Sequence, residues 1–282
     1  MVALLVAALL AQPGDVLGQR YLPTVQINQY HWQTKGVGVP WRNRDSLAVL
    51  WSGNAVPMWH YDWWHNCALY DEQPWAGGYV PMIYREWTDA ALACNGGRPL
   101  LVGNEPENVE QGNLSPADQA AVLHEAVTRW AGPVYCCGVQ AQHINYMRAV
   151  MAEYTSRYGP WPGGVRFHLY AIGDDGGTIL DAVDADDIAR TKAAFDAMLD
   201  VIGGQRFVVS ECCVLSATMT QNEIAAAAYP LVDYAYSQGA ESVAWYSVKS
   251  DFFYNASDLV TSNRVNALGL AWLDYMAGWR RP

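Results

Sequence analysis

Eight short apolar runs recur along the chain, at 35–39, 55–61, 79–84, 99–103, 133–138, 165–170, 206–210 and 242–246. Several are continuously apolar rather than alternating, the pattern of strands buried on both faces. Stretches with helical periodicity separate them, and their ends carry recognisable signals. Ser115-Pro116-Ala117-Asp118 offers an N-cap serine, a proline at the first helical position and an acid in the first turn. Thr220-Gln221-Asn222-Glu223 reads as a capping box, with Gly239 placed to close the helix it opens. Residues 186–201 are amphipathic and stop at Gly203-Gly204, and a last helix is expected over 264–275.

This alternation predicts an α/β fold, a single (β/α)8 TIM barrel. Eight strand–helix units over about 245 residues suit a fold whose usual size is roughly 250. Residues 35–282 form the predicted catalytic barrel and residues 1–34 an N-terminal extension. A doubly wound open sheet fits the same alternation, but no glycine-rich phosphate loop follows an early strand.

Composition changes the picture in several places. A net charge of −11 speaks against nucleic acid and against anionic membrane surfaces, and leaves a neutral polysaccharide or oligosaccharide as a substrate that is not repelled. The chain has 13 Trp and 17 Tyr against 5 Phe. Such rings fill cores, and they also stack on the flat faces of sugars. No run reaches the roughly 20 apolar residues that cross a bilayer. The apolar run from Val2 to Ala11 lacks a preceding Lys or Arg, so it reads either as an atypical signal segment or as a helix packed on the domain. The first reading places the protein outside the cell or on its surface, and a monomer is expected. Cys136–Cys137 and Cys212–Cys213 are adjacent pairs in strand-like segments, where neighbours point to opposite faces. Neither pair has zinc spacing, so buried free thiols are expected, with a Cys67–Cys94 bridge left open.

In a barrel, chemistry gathers at the C-terminal ends of the strands. Strand by strand those ends supply Trp59, His60, Tyr61 and Asp62; Tyr84, Arg85 and Glu86; Asn104 and Glu105; Gln140 and Gln142; His168 and Tyr170; Glu211; and Trp245 and Tyr246, with Lys249 just beyond. Two carboxylates stand out, Glu105 and Glu211, each after an apolar run. They are 106 residues apart, slightly more than three barrel units, which sets strands four and seven across the mouth from one another. Two carboxylates facing across a cleft are the minimum machinery for glycoside hydrolysis, one as proton donor and one as nucleophile or general base.

Six segments, in order, carry a resemblance: VPMWHYDWW (56–64), YVPMIY (79–84), LLVGNEPE (100–107), FHLYA (167–171), FVVSE (207–211) and SVAWYS (242–247). The chain resembles the clan A glycoside hydrolases, whose fourth strand ends in Asn-Glu-Pro and whose seventh ends in a nucleophilic Glu. Within the clan it is most similar to glycoside hydrolase family 128, the endo-β-1,3-glucanase group. The resemblance implies Glu105 as acid/base and Glu211 as nucleophile in a retaining double displacement. It implies Asn104 on the sugar 2-hydroxyl, Tyr170 donating to Glu211, His168 in the same floor and Trp245 as the platform under the sugar. Trp59, Tyr61 and Tyr84 complete the candidate substrate-binding set. Gly103 departs from the family's Phe, and Ser210 and Cys212 stand where Thr and Phe are usual.

No cofactor or metal is required by that chemistry. His60, Asp62 and His65 form no standard zinc spacing, and Cys212 and Cys213 have no nearby His in sequence to activate a thiol. The alternative function is a non-catalytic carbohydrate-binding barrel that keeps an aromatic glycan groove.

Overall fold

A computed structural model describes residues 35–39, 43–51, 59–65, 67–70, 78–94, 96–173, 182–249, 257–262 and 264–275. The elements run β1 (Lys35–Gly38), α1 (Arg44–Trp51), β2 (Trp59–Tyr61), α2 (Cys67–Tyr70), β3 (Met82–Ile83), a 3₁₀ segment (Asp89–Cys94), β4 (Leu100–Val102), α3 (Pro116–Arg129), β5 (Val134–Gln140), α4 (Ile144–Tyr158), β6 (Gly164–Ile172), α5 (Ala185–Ile202), β7 (Phe207–Leu215), α6 (Gln221–Ser237), β8 (Val243–Trp245), β9 (Val260–Thr261), β10 (Arg264–Val265) and α7 (Ala267–Tyr275). Strands β1 to β8 form one parallel sheet in the order β2-β1-β8-β7-β6-β5-β4-β3. The β2–β3 seam is joined by a His60–Tyr79 bridge and by Val80 N–H donating to His60 O at 2.9 Å, so the sheet curls into a (β/α)8 barrel. Every predicted run overlaps one of these strands, with β5, β6 and β7 running two to five residues beyond the predicted ends; the start of the second run, 55–58, lies outside the described residues.

Helix ends follow local chemistry. Ser115 Oγ accepts from Asp118 N at the start of α3, and Thr220 and Glu223 form a reciprocal capping box on α6. Asp184 caps α5 in the same way, and Gly203, in the left-handed conformation, ends it. The last helix begins at Ala267 rather than at 264, because Arg264–Val265 pair with Val260–Thr261 in an antiparallel ribbon. Asn266 then caps the helix, its Oδ1 accepting from Gly269 N at 2.9 Å.

Two cores result. The larger lies between sheet and helices and takes the outward residues of the strands, such as Val37, Leu100, Phe167 and Trp245. The smaller fills the barrel with Trp59, Tyr61, Val80, Met82, Leu101, Tyr135, Val208 and Ala244. A Cβ at Gly36 would meet the Trp59 ring at 2.3 Å, so β1 yields its share of the interior to β2.

The cysteines depart from expectation. All six are bonded, Cys67 to Cys94 and the members of each adjacent pair to one another. The peptide between paired neighbours is cis, and each pair is joined rather than split between two faces as a regular strand would place it.

Candidate active site

The upper mouth of the barrel is built on local breaks in strand regularity. After β4 the chain passes through Gly103 at φ 79° and Glu105 at φ 40°, both in the left-handed region. A Cβ on Gly103 would lie 2.5 Å from the Cys137 carbonyl, which is why Phe cannot stand there. Glu105 is a non-glycine residue in that region, a conformation that costs on the order of 1–3 kcal/mol. Its amide is held by Gly138 O at 2.9 Å, and its carbonyl accepts from Asn108 N and Gly112 N. On β7 the pairing with β6 slips by one residue: Phe167 lies opposite Val209, and His168 opposite Glu211. Val208 and Ser210 face the barrel interior, so plain alternation would send Glu211 outward. The bulge restores it to the inside.

The consequence is a row of three residues abreast, Gln140 on β5, His168 on β6 and Glu211 on β7. Glu105 leans over this row. One oxygen of each glutamate and a ring nitrogen of His168 lie within 4.8 Å of one another. His168 Nδ1 is 3.0 Å from Glu105 Oε1 and 3.4 Å from Glu211 Oε2. Glu105 also accepts from Gln140 Nε2 at 2.9 Å and Asn108 Nδ2 at 3.3 Å. Glu211 accepts from Tyr170 Oη at 2.5 Å and Trp63 Nε1 at 2.8 Å. Both carboxylates are buried.

The electrostatics of Glu105 are a contest. Burial pushes its carboxyl up, but the hydrogen bond from His168, then those of the Gln140 and Asn108 amides, win and hold it below the usual carboxylate range. Two residues on, Glu107 goes the other way. Burial raises its carboxyl to about 7; Oε1 accepts from Gln140 N at 2.8 Å, and Oε2 is buried without a hydrogen-bond partner among the described residues.

The ring set differs from the one read in the sequence. Trp245 has no exposed surface; it points outward, packs on Trp272 and donates from Nε1 to Ser257 O at 2.9 Å. A sugar cannot reach it. The next residue, Tyr246, faces the mouth, with its ring 5.7 Å from Trp63 and 5.9 Å from Tyr170. The strand's two-residue period explains the exchange, since one position of shift changes the face. Trp59 is corrected likewise: it lies in the barrel interior, 2% exposed, with Nε1 on Ser242 Oγ. Tyr61 is fully buried beneath the site, with its hydroxyl on Ser210 O. His168 has no exposed side chain and acts from below the carboxylates rather than as a sugar-lining surface. Tyr84 and Tyr170 are half-buried at the mouth, and Asn104 Oδ1 is buried with no partner among the described residues. Trp63, at φ 62°, and Tyr246 are the site aromatics that the sequence reading did not select.

The fold is similar to that of family 128 β-1,3-glucanases. A subgroup II endo-β-1,3-glucanase from Sorangium cellulosum superposes with a TM-score of 0.62 at 20% identity, over 85% of this chain and 97% of that one. A subgroup I endo-β-1,3-glucanase variant from Amycolatopsis mediterranei, in complex with laminarihexaose, gives 0.65 at 16% identity, over 86% and 99%. A curdlan-specific exo-β-1,3-glucanase of subgroup III from Blastomyces gilchristii, in complex with glucose, gives 0.60 at 20%, over 86% and 98%. Neither a family model nor a curated protein matches the sequence.

Glu105, His168 and Glu211 are spaced closely enough to share a cation. His168 Nε2, however, faces Arg166 Nη2 at 3.1 Å, and a guanidinium only donates. Nε2 is therefore the acceptor and Nδ1 carries the proton, so the nitrogen between the carboxylates is a donor and not a lone pair for a metal. His60, Asp62 and His65 do not assemble a second centre. His60 is fully buried and lowered to about 3, Asp62 Oδ1 accepts from Tyr79 Oη, and His65 Nε2 meets Thr88 Oγ1.

Proposed function

We propose that this chain is a retaining β-glucan hydrolase, acting within β-1,3-linked chains by double displacement. The observation that carries the reading is the approach of the Glu105 and Glu211 carboxylate oxygens to within 4.8 Å of one another, both at Nδ1 of one imidazole. Retaining glycosidases hold their carboxyl groups about 5–5.5 Å apart, whereas inverting ones leave roughly 6.5–9.5 Å for a water. The likeness in fold to β-1,3-glucanases supports the substrate class.

In this reading glucan lies across the mouth against Tyr84, Trp63 and Tyr246. Glu105 protonates the leaving oxygen while Glu211 attacks the anomeric carbon. Tyr170 and Trp63 each donate to Glu211 and aim it. Glu105, now a base, takes the proton of the water that opens the glycosyl-enzyme. Asn104 Oδ1 meets the 2-hydroxyl. The three cysteine pairings support an oxidising compartment, consistent with a secreted or cell-surface protein.

The test is a panel of β-1,3-, β-1,4- and mixed-linkage glucans, with product lengths and the anomer first formed followed by proton NMR. Mixed short oligosaccharides from β-1,3-glucan, released as the β-anomer, are expected. Release of the α-anomer overturns retention, and no cleavage of any glucan overturns the enzyme in favour of a sugar-binding barrel.

A further inference from the structure

Arg166 lies on β6, two residues before His168, and has no exposed surface. It sits one layer below the carboxylates, inside the barrel, where a charge is costly to bury. No carboxylate lies within ion-pair distance of it among the described residues. Its guanidinium is instead spread over three neutral acceptors. Nε donates to Ser210 Oγ at 2.9 Å, Nη1 to Gly103 O at 2.9 Å, and Nη2 to His168 Nε2 at 3.1 Å. The space is made by Gly138, at φ 71°, where a Cβ would come within 3.0 Å of the guanidinium.

Each of those acceptors belongs to a segment that carries part of the site. Gly103 precedes Asn104 and Glu105, Ser210 precedes Glu211, and His168 stands between the two glutamates. One cation therefore touches the β4 turn, the β7 bulge and the imidazole together. We propose that Arg166 is a positioning residue that fixes His168 as its Nδ1–H tautomer, so that the ring donates upward to the carboxylate pair while its lone pair faces down. The catalytic meaning of this rests on Glu105 and Glu211 being the reacting pair. The link between Arg166 and His168 does not.

The mechanism follows from donor counting. A guanidinium has five N–H donors and no acceptor, and it keeps its proton where a lysine would not. The nitrogen it faces has to offer a lone pair. Without that donor the Nε2–H tautomer becomes available, and in it Nδ1 turns a lone pair toward two carboxylates. The hydrogen bond to Glu105 becomes a repulsion, and the pair loses the donor that lies between its members.

The experiment reads the tautomer directly. His168 imidazole nitrogens are followed by proton–nitrogen correlation in histidine-labelled protein at neutral pH, assigned by the signal missing from His168→Gln. In the wild type, a protonated Nδ1 and an unprotonated Nε2 are expected. In Arg166→Met that pattern should give way to Nε2–H or to a mixture, and kcat should fall about 10- to 100-fold, as when an outer partner that orients a ligand is removed, with KM nearly unchanged. A protonated Nε2 in the wild type overturns the proposal, as does an unaltered pattern in a folded Arg166→Met. Near-UV circular dichroism reports whether the variant folds; if it does not, the wild-type spectrum decides by itself. A wild type with the expected tautomer and no glucan cleavage would overturn the enzymatic reading and leave the Arg166–His168 link standing.

Discussion

Glu105 stands on a turn after its strand and Glu211 stands within one, and their partners differ accordingly. Around Glu105 the donors are His168, Gln140 and Asn108, an imidazole and two amides, with a backbone held at φ 40°. Around Glu211 they are Tyr170 and Trp63, a phenol and an indole rigidly packed against Tyr246. A group that takes and returns a proton benefits from neighbours whose hydrogen bonds can be redistributed. A nucleophile benefits from being aimed. In the proposed mechanism, two side chains of one type would thus divide two roles between them through what surrounds each.

The strongest way to break that comparison is to neutralise each side separately. Glu211→Gln should lower kcat at least about 10⁴-fold on every substrate, because no leaving group compensates for a missing nucleophile. Glu105→Gln should cost about 10²–10⁴-fold on glucan, the range of general acid catalysis. On an aryl glucoside whose phenol leaves without protonation, the glycosylation step of Glu105→Gln should recover while that of Glu211→Gln does not. Pre-steady-state release of the phenol measures this. Equal losses on both substrates would show that the two walls do not divide the chemistry.

Much of this is legible in the sequence. The eight apolar runs, the capping signals and the acids at matched strand ends follow from periods and end chemistry that leave direct marks in the sequence. The direction of a side chain at a strand end does not. Glu211 points inward only because of a bulge, Glu105 only because two residues take positive φ, and Trp245 and Tyr246 exchange roles over a single position. Bulges and left-handed turns depend on pairing with a neighbouring strand that is remote in sequence. Arg166 was invisible for a related reason: a lone arginine in an apolar run does not announce that three acceptors converge on it. Gly103 was the available signal, a glycine where bulk was expected.

Exchanging two tryptophans sharpens the comparison at intermediate size. Trp63→Phe removes one charge-assisted hydrogen bond from Glu211, worth about 1.5–3 kcal/mol, or about 10- to 150-fold in kcat. Trp245→Phe removes volume and a hydrogen bond from the outer core and should lower unfolding free energy by about 1–3 kcal/mol. Its kcat, corrected for the folded fraction, should stay near wild type. Denaturant midpoints and kcat measured on both variants separate the two effects. A drop in kcat for Trp245→Phe as large as for Trp63→Phe would restore Trp245 to the sugar site.

The smallest effect on turnover is expected at Glu107, and it tests the wall around Glu105 through stability. A carboxyl raised from 4.5 to about 7 binds its proton more tightly in the folded protein than in the unfolded chain. Between those two values the native state holds the extra proton, so stability falls as pH rises through that window. Above about 7 the group is ionised in a buried place, with Oε2 unpartnered among the described residues. Glu107→Gln keeps an acceptor for Gln140 N and cannot ionise. It should flatten that decline, making the variant more stable than wild type above neutrality by on the order of 2 kcal/mol, after allowing for partial exposure of the side chain. The check is Tm against pH for both proteins from 4 to 8. Parallel curves across the window would mean that Glu107 is ionised throughout, and that the carboxyl beside the Glu105 turn is wet rather than desolvated.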